Sequence, residues 1–226
     1  MGIDLAVGNN LQPNYVYEND SGVLSLAWAS AESDYTWNII WGDVNQDGYL
    51  DLSVGNYKQF NRIYMNRTVG VELAWSTPTA NSTTSLAWGD IDNDGDPDLA
   101  VGNYNAQPNQ LYQNNNGNLS LVWSSPQLDS TNDLAWGDMD ADGDLDLAVA
   151  NYNQPNRIYA NTNNQLALVW SSAETDFSTS VAWGDADGGW DLGCLFGNFD
   201  QPNRLYQNQQ GQFSLTYSSP ESDATL

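Results

Sequence analysis

Bulky apolar residues in this chain recur at every second position, in bursts of four to six residues. One set runs Ser85-Leu-Ala-Trp-Gly-Asp90, Asp98-Leu-Ala-Val-Gly-Asn103, Asn109-Gln-Leu-Tyr-Gln-Asn114 and Leu119-Ser-Leu-Val-Trp-Ser124. A two-residue period with short runs predicts β-strands, and the Gly, Asn, Pro and Asp clusters between the bursts predict turns. No stretch sustains a 3.6-residue period, so no helix is expected.

The same set returns along the chain. Trp41, Trp88, Trp136 and Trp183 mark the Ala-Trp-Gly-Asp burst at steps of 47, 48 and 47 residues. The Gln-Pro-Asn-Arg type element begins at Gln12, Gln59, Gln107, Gln154 and Gln201, and a third marker falls at Trp28, Trp75, Trp123, Trp170 and Tyr217. Four short strands in a unit of about 47 residues have the size of a propeller blade, and radial closure explains how an all-β chain avoids long open edges. The expected fold is therefore an all-β propeller of four-stranded antiparallel blades, five in number, with units at 1–35 (incomplete), 36–82, 83–130, 131–177 and 178–226 in a single domain. The chain is permuted relative to its blades: the first unit lacks its innermost strand. That strand is expected from Thr225–Leu226, from a neighbouring chain or homo-oligomer, or from further repeats of a longer protein.

Between the first and second bursts of each unit lies an acidic loop. Asp43, Asn45, Asp47, Tyr49 and Asp51 occupy positions 1, 3, 5, 7 and 9 of the first; Asp90, Asp92, Asp94, Asp96 and Asp98 of the second; Asp138, Asp140, Asp142, Asp144 and Asp146 of the third. Oxygen donors at alternate positions, a turn Gly at position 6 and a closing carboxylate suit a hard cation, and calcium fits better than magnesium. Side chains are expected to bind from positions 1, 3, 5 and 9, with the backbone carbonyl at position 7. An isolated copy would as readily be a solvated turn; three in one register predict three calcium sites. The fourth copy, Trp183-Gly-Asp-Ala-Asp-Gly-Gly-Trp-Asp-Leu-Gly193, keeps Asp185 and Asp187 but carries Gly193 at position 9 and Trp190 at position 6. It is expected to hold no ion. Cys194, just beyond, is expected to be an apolar filler rather than a reactive thiol.

These loops, each followed by a strand ending Gly-Asn or, at 150–151, Ala-Asn, resemble the FG-GAP repeat of integrin α-subunit propellers, and residues 144–161 resemble its bacterial branch, the VCBS repeats. The resemblance implies calcium that rigidifies the loop between a blade's first two strands. It also implies an extracellular or cell-surface adhesion or recognition module, in some members a lectin. The chain opens Met-Gly-Ile-Asp-Leu-Ala-Val-Gly-Asn, with no basic and apolar leader segment.

Charge sharpens this picture. There are 29 acidic residues against 5 basic ones, a formal charge of −24, and 16 of the acids fall in the four loops. Such a surface excludes nucleic acid and disfavours an anionic membrane, and no apolar run is long enough to insert in one. Without His, and with a single Cys, zinc sites, His-based proton transfer and disulfides drop out, and no catalytic constellation emerges. A non-enzymatic module binding a glycan or protein is expected, with a purely structural scaffold as the alternative. Eight of the ten tryptophans hold repeat positions and are expected in the core. Trp37 does not: its slot is Thr84, Asn132 and Thr179 elsewhere, which makes Trp37, with Tyr35 nearby, the candidate ligand contact. Tyr57, Tyr104, Tyr152 and Phe199 either line recurrent pockets or cover the sheet edge. Arg62, Arg157 and Arg204 share one slot and are expected to pair with neighbouring acids.

Overall fold

The computed structural model describes residues 4–67, 70–186, 188, 189 and 191–222. All of its regular structure is β, in line with the two-residue period. The split first blade holds β1 (Leu5–Val7), β2 (Tyr15–Asp20) and β3 (Val23–Ala29). The second has β4 (Thr36–Gly42), β5 (Asp51–Gln59), β6 (Arg62–Arg67) and β7 (Gly70–Ser76). The third has β8 (Asn81–Gly89), β9 (Asp98–Asn103), β10 (Gln110–Asn115) and β11 (Asn118–Ser124). The fourth has β12 (Thr131–Gly137), β13 (Asp146–Asn151), β14 (Arg157–Asn161) and β15 (Leu166–Ser171). The fifth has β16 (Ser178–Gly184), β17 (Gly193–Asn198), β18 (Arg204–Gln209) and β19 (Gln212–Ser218). Strands pair antiparallel in chain order within each blade, and β5 runs on to pair with β8, joining the second and third blades edge to edge. The inner strands β4, β8, β12 and β16 are neighbours in that order. Thr225 and Leu226 lie outside the described residues.

The core sits between blades, not within them. Ile91, Ala100 and Leu111 of the third blade pack on Leu134, Leu147 and Tyr159 of the fourth; Met139, Ala148 and Ile158 pack on Val181, Cys194 and Phe196 of the fifth. Each outer-strand tryptophan meets the next blade's tyrosine edge-on: Trp28 and Tyr64 at 4.9 Å, Trp75 and Tyr112 at 5.0 Å, Trp123 and Tyr159 at 5.2 Å, Trp170 and Tyr206 at 4.8 Å. The inner-strand tryptophans Trp88, Trp136 and Trp183 seat on the preceding blade's glycine. A Cβ on Gly42, Gly89 or Gly137 would lie 2.7, 2.8 or 2.6 Å from Trp88, Trp136 or Trp183, so only Gly leaves room for the ring. Trp136 and Trp183 also donate their indole N–H to the carbonyls of Ala87 and Ala135. With Trp41, which packs against Val16, Leu52, Val54 and Tyr64, eight tryptophans thus build the interfaces.

Buried polar side chains close their own hydrogen bonds across the same interfaces. Asn61 donates to the Thr83 hydroxyl at 2.9 Å, and Thr83 donates to Asn103 at 2.9 Å; Asn109, Thr131 and Asn151 repeat the relay one blade on. Arg62, Arg157 and Arg204 ion-pair with Asp34, Asp129 and Asp176 of the preceding connection, each pair largely removed from water. Their recurrence reflects a structural role. Cys194 is buried, and burial pushes its thiol well up.

Candidate metal centres and an aromatic patch

Strand register brings the two ends of each acidic loop together. The last residue of the inner strand stands opposite the closing Asp: Gly42 against Asp51, Gly89 against Asp98, Gly137 against Asp146. The eight residues between must turn back within one loop. Positive φ at Gln46, Asn93 and Ala141 (55°, 58° and 59°) and at Gly48, Gly95 and Gly143 makes that turn. Glycine is needed at the second point, where φ is 89–96°.

The carboxylates hold this frame. Asp90 accepts the backbone N–H of Asp94 and of Gly95, at 3.1 and 2.9 Å, and Asp94 accepts that of Asp96. Asp43 and Asp138 take the same two positions in their loops. The closing carboxylates reach furthest inward: Asp98 accepts from Ile91 at 3.0 Å and Asn114 at 2.7 Å, Asp146 from Met139 and Asn161, and Asp51 from Val44 and Asn66. Asp98 is fully buried, and desolvation pushes its carboxyl up to about 6; Asp146 is raised to about 6 by the same cause, and Asp51 is raised. Burial outweighs the backbone N–H groups that favour the charged form.

The structure gathers Asp90, Asp92 and Asp98 so that one oxygen from each lies within 4.8 Å of the others, and does the same for Asp138, Asp140 and Asp146. Asp94, Asp96, Asp142 and Asp144 lie outside these triads and bond within or between loops; Asn93, for example, donates to Asp144 at 2.9 Å. In the first loop the third position is Asn45, so its frame is matched with one carboxylate fewer. Asp47 there caps the Tyr49 N–H. Among the described residues no Arg or Lys forms an ion pair with any of these loop acids. Converging oxygens without a counter-charge, one of each triad buried, fit a hard divalent cation. Calcium held there would add charge compensation that the chain itself does not supply.

The loop of the fifth blade, the fourth copy, differs at its closing position. Gly184 stands opposite Gly193, so the register without gaps is the right one and position 9 has no carboxylate. A Cβ on Gly193 would lie 2.7 Å from the Tyr206 carbonyl, so the backbone occupies part of that space. Asp185 is exposed and caps Gly188 at 2.7 Å. Asp191 holds the position-7 contact, accepting from Gln210 as Asp96 accepts from Asn116. Asp187 and Trp190 lie outside the described residues.

At the other end of the inner strands sits an aromatic patch. Trp37 is 46% exposed and stacks on Tyr57, centroids 4.6 Å apart at 20°; Tyr35 meets both edge-on at 5.9 and 5.5 Å. The Lys58 ammonium lies 5.0 Å from the Tyr57 ring. Farther round the same end, Tyr104 meets Tyr152 at 6.1 Å, and Tyr152 stacks on Phe177 at 4.6 Å. The tyrosines that follow the second strand's closing Asn fall in two ring clusters, Tyr57 with Trp37 and Tyr35, and Tyr104 and Tyr152 with Phe177. Phe177 escapes a motif search because its slot holds Tyr35 or Ser130 in other blades.

The FG-GAP-like repeat profile matches the chain three times, over residues 43–101, 90–149 and 138–189, each match running from one acidic loop into the next. No curated protein matches the chain in sequence. Among solved structures, the chain is similar to a periplasmic gluconolactonase of Pseudomonas aeruginosa (15% identity, TM-score 0.69), covering 98% of this chain and 68% of that one. It is similar to Sqt1 of Saccharomyces cerevisiae (12% identity, TM-score 0.70), covering 98% and 59%. It is also similar to BBS1N in complex with ARL6DN (16% identity, TM-score 0.55), covering 81% and 56%. The chain spans little more than half the length of that last protein, and at these identities the likeness shows the fold alone: a β-propeller.

Proposed function

The chain belongs to the FG-GAP-like repeat family, and from that premise we propose that it is a calcium-stabilised, non-enzymatic recognition module acting outside the cell or at its surface. The observation that carries the metal reading is the pair of acidic triads closed by the buried carboxylates of Asp98 and Asp146. The third ion falls to the loop of Asp43, Asn45, Asp47 and Asp51, which keeps the same hydrogen-bond frame. Calcium bound there rigidifies the loop between inner and second strands, and its binding energy adds to folding energy.

The ligand site is the aromatic patch. Inner strands of seven to nine residues separate it from the metal loops, a span of roughly 20–30 Å at about 3.3 Å per residue. Calcium therefore supports the scaffold and does not touch the ligand. An exposed indole stacked on Tyr57 and met edge-on by Tyr35 offers a flat apolar face with polar edges, which suits a sugar ring. The glycan reading is preferred to a protein ligand on that ground. A glycan array probed with calcium-loaded protein tests it: binding lost in Trp37→Ala, with melting temperature and calcium content unchanged, is the expected result. A blank array, or binding indifferent to Trp37, contradicts it.

A further inference from the structure

The second blade departs from the repeat at three slots of its aromatic end. Trp37 stands where Thr84, Asn132 and Thr179 stand elsewhere, and Phe60 takes the slot of Pro13, Pro108, Pro155 and Pro202. Both rings are close to half exposed. The third departure is Lys58, the single lysine of the chain, where the first, fourth and fifth blades carry Leu11, Asn153 and Asp200. Lys58 is the extra residue of a bulge in the pairing of β5 with β8, and its backbone is left-handed, with φ of 57°. Asn and Asp tolerate that conformation through bonds to the local backbone that lysine cannot make. A cation held there against that preference, with its side chain exposed, faces outward to a ligand rather than inward to the fold.

The charge of Lys58 is uncommitted. Arg62, Arg157 and Arg204 hold buried acids and Arg67 pairs with Glu72, but no acid pairs with Lys58 among the described residues. Asn10 bridges to Tyr35, Ser82 pairs with Tyr57, and Asn105 donates to the Tyr57 hydroxyl at 3.1 Å. Segments 8–14, 34–37, 56–61, 81–84 and 103–107 therefore frame the patch. They contain one acid, Asp34, and it is held by Arg62 and Asn56. The metal loops lie at the far end of the inner strands, well beyond the Debye length of about 8 Å at physiological salt. On a chain of net charge −24, the patch is thus a locally positive spot. The Asn105 amide, with the ammonium beside it, holds the Tyr57 phenol below its usual range.

Indole and ammonium share one neighbour. The Trp37 ring lies 4.6 Å and the Lys58 ammonium 5.0 Å from the centre of the Tyr57 ring, so a sugar seated on the indole has the ammonium within reach of its substituents. We infer that the saccharide taken by this patch is acidic: a sugar ring stacked on Trp37 carries a carboxylate that pairs with Lys58. This rests on the patch being the glycan site and adds which glycans it selects. Stacking serves acidic and neutral rings alike, whereas the ion pair separates them by about fivefold, the worth of one exposed pair.

A glycan array tests this, holding uronate-containing glycans beside the same glycans with each carboxylate reduced to the alcohol. The whole calcium-loaded chain, freed of excess calcium, is applied over a concentration series. It is expected to bind the acidic member of a pair about fivefold more tightly at low salt, with the difference gone at about 1 M salt, where the Debye length is about 3 Å. Lys58→Asn, which installs the residue of the fourth blade and spares folding, should lose that preference, still bind the neutral member and melt no lower. Lys58→Arg should keep the preference, and Trp37→Thr should lose both members. Equal binding of acidic and neutral members, or a preference for the acid that survives Lys58→Asn, overturns the inference while leaving the patch as the glycan site. A blank array overturns both.

Discussion

The third and fifth blades share their packing against the preceding blade and differ in one loop. Asp98 enters the interior beside Asp90 and Asp92, whereas Gly193 leaves its blade without a closing oxygen. Yet β17 stays buried against the fourth blade, with Cys194 and Phe196 where Leu99 and Val101 stand. Interface packing and metal chelation are thus separable in this repeat: a blade can keep the first without the second. The contrast makes the buried closing carboxylate of each intact loop a liability that a cation must offset, and its absence in the fifth blade's loop a relief from it.

Chelation should expose the liability most strongly. Each calcium present at a thousandfold excess over its Kd stabilises by about 4 kcal/mol, so EDTA is expected to lower the melting temperature by about 10 °C or more. Unchanged melting would mean that the intact loops behave like the fifth. Removing one site should cost a single share: Asp98→Asn is expected to lower calcium content by one ion and stability by about 4 kcal/mol in excess calcium, while Asp185→Ala changes neither.

Packing gives the next pair. Gly137→Ala places a methyl 2.6 Å from Trp183 and should cost about 1–3 kcal/mol, read by urea unfolding. Gly184→Ala, the same motif position in the fifth blade, meets nothing within 4 Å and should be nearly neutral. Equal costs at the two glycines would show that the tryptophan socket is not what demands glycine. The smallest effect is expected from Gly193→Asp. With the Tyr206 carbonyl 2.7 Å from the new Cβ, restoring the closing residue alone should restore no calcium site, by calcium titration.

Much of this could be read along the chain because the repeat fixes it. Strand positions, the acidic loops, the pairing role of Arg62, Arg157 and Arg204, and the exposure of Trp37 all follow from comparing equivalent slots. Contacts between blades were less legible, since they join residues far apart in sequence. Asn114 reaches the Val44 carbonyl across 70 residues, and nothing local announces it, although an Asn recurs after every Tyr-x at 66, 114, 161 and 208. The pairing of Tyr64 with Glu32 and of Tyr206 with Glu174 is hidden in the same way, and so is the stacking of Trp37 on Tyr57. Alternation says which face a side chain takes, not which ring it will meet.

Native mass measurement in calcium tests the central claim most directly. Three bound calcium ions per chain, falling to two in Asp98→Asn, is the result expected from three closed loops and one open one. No retained calcium, or four ions, would contradict the account.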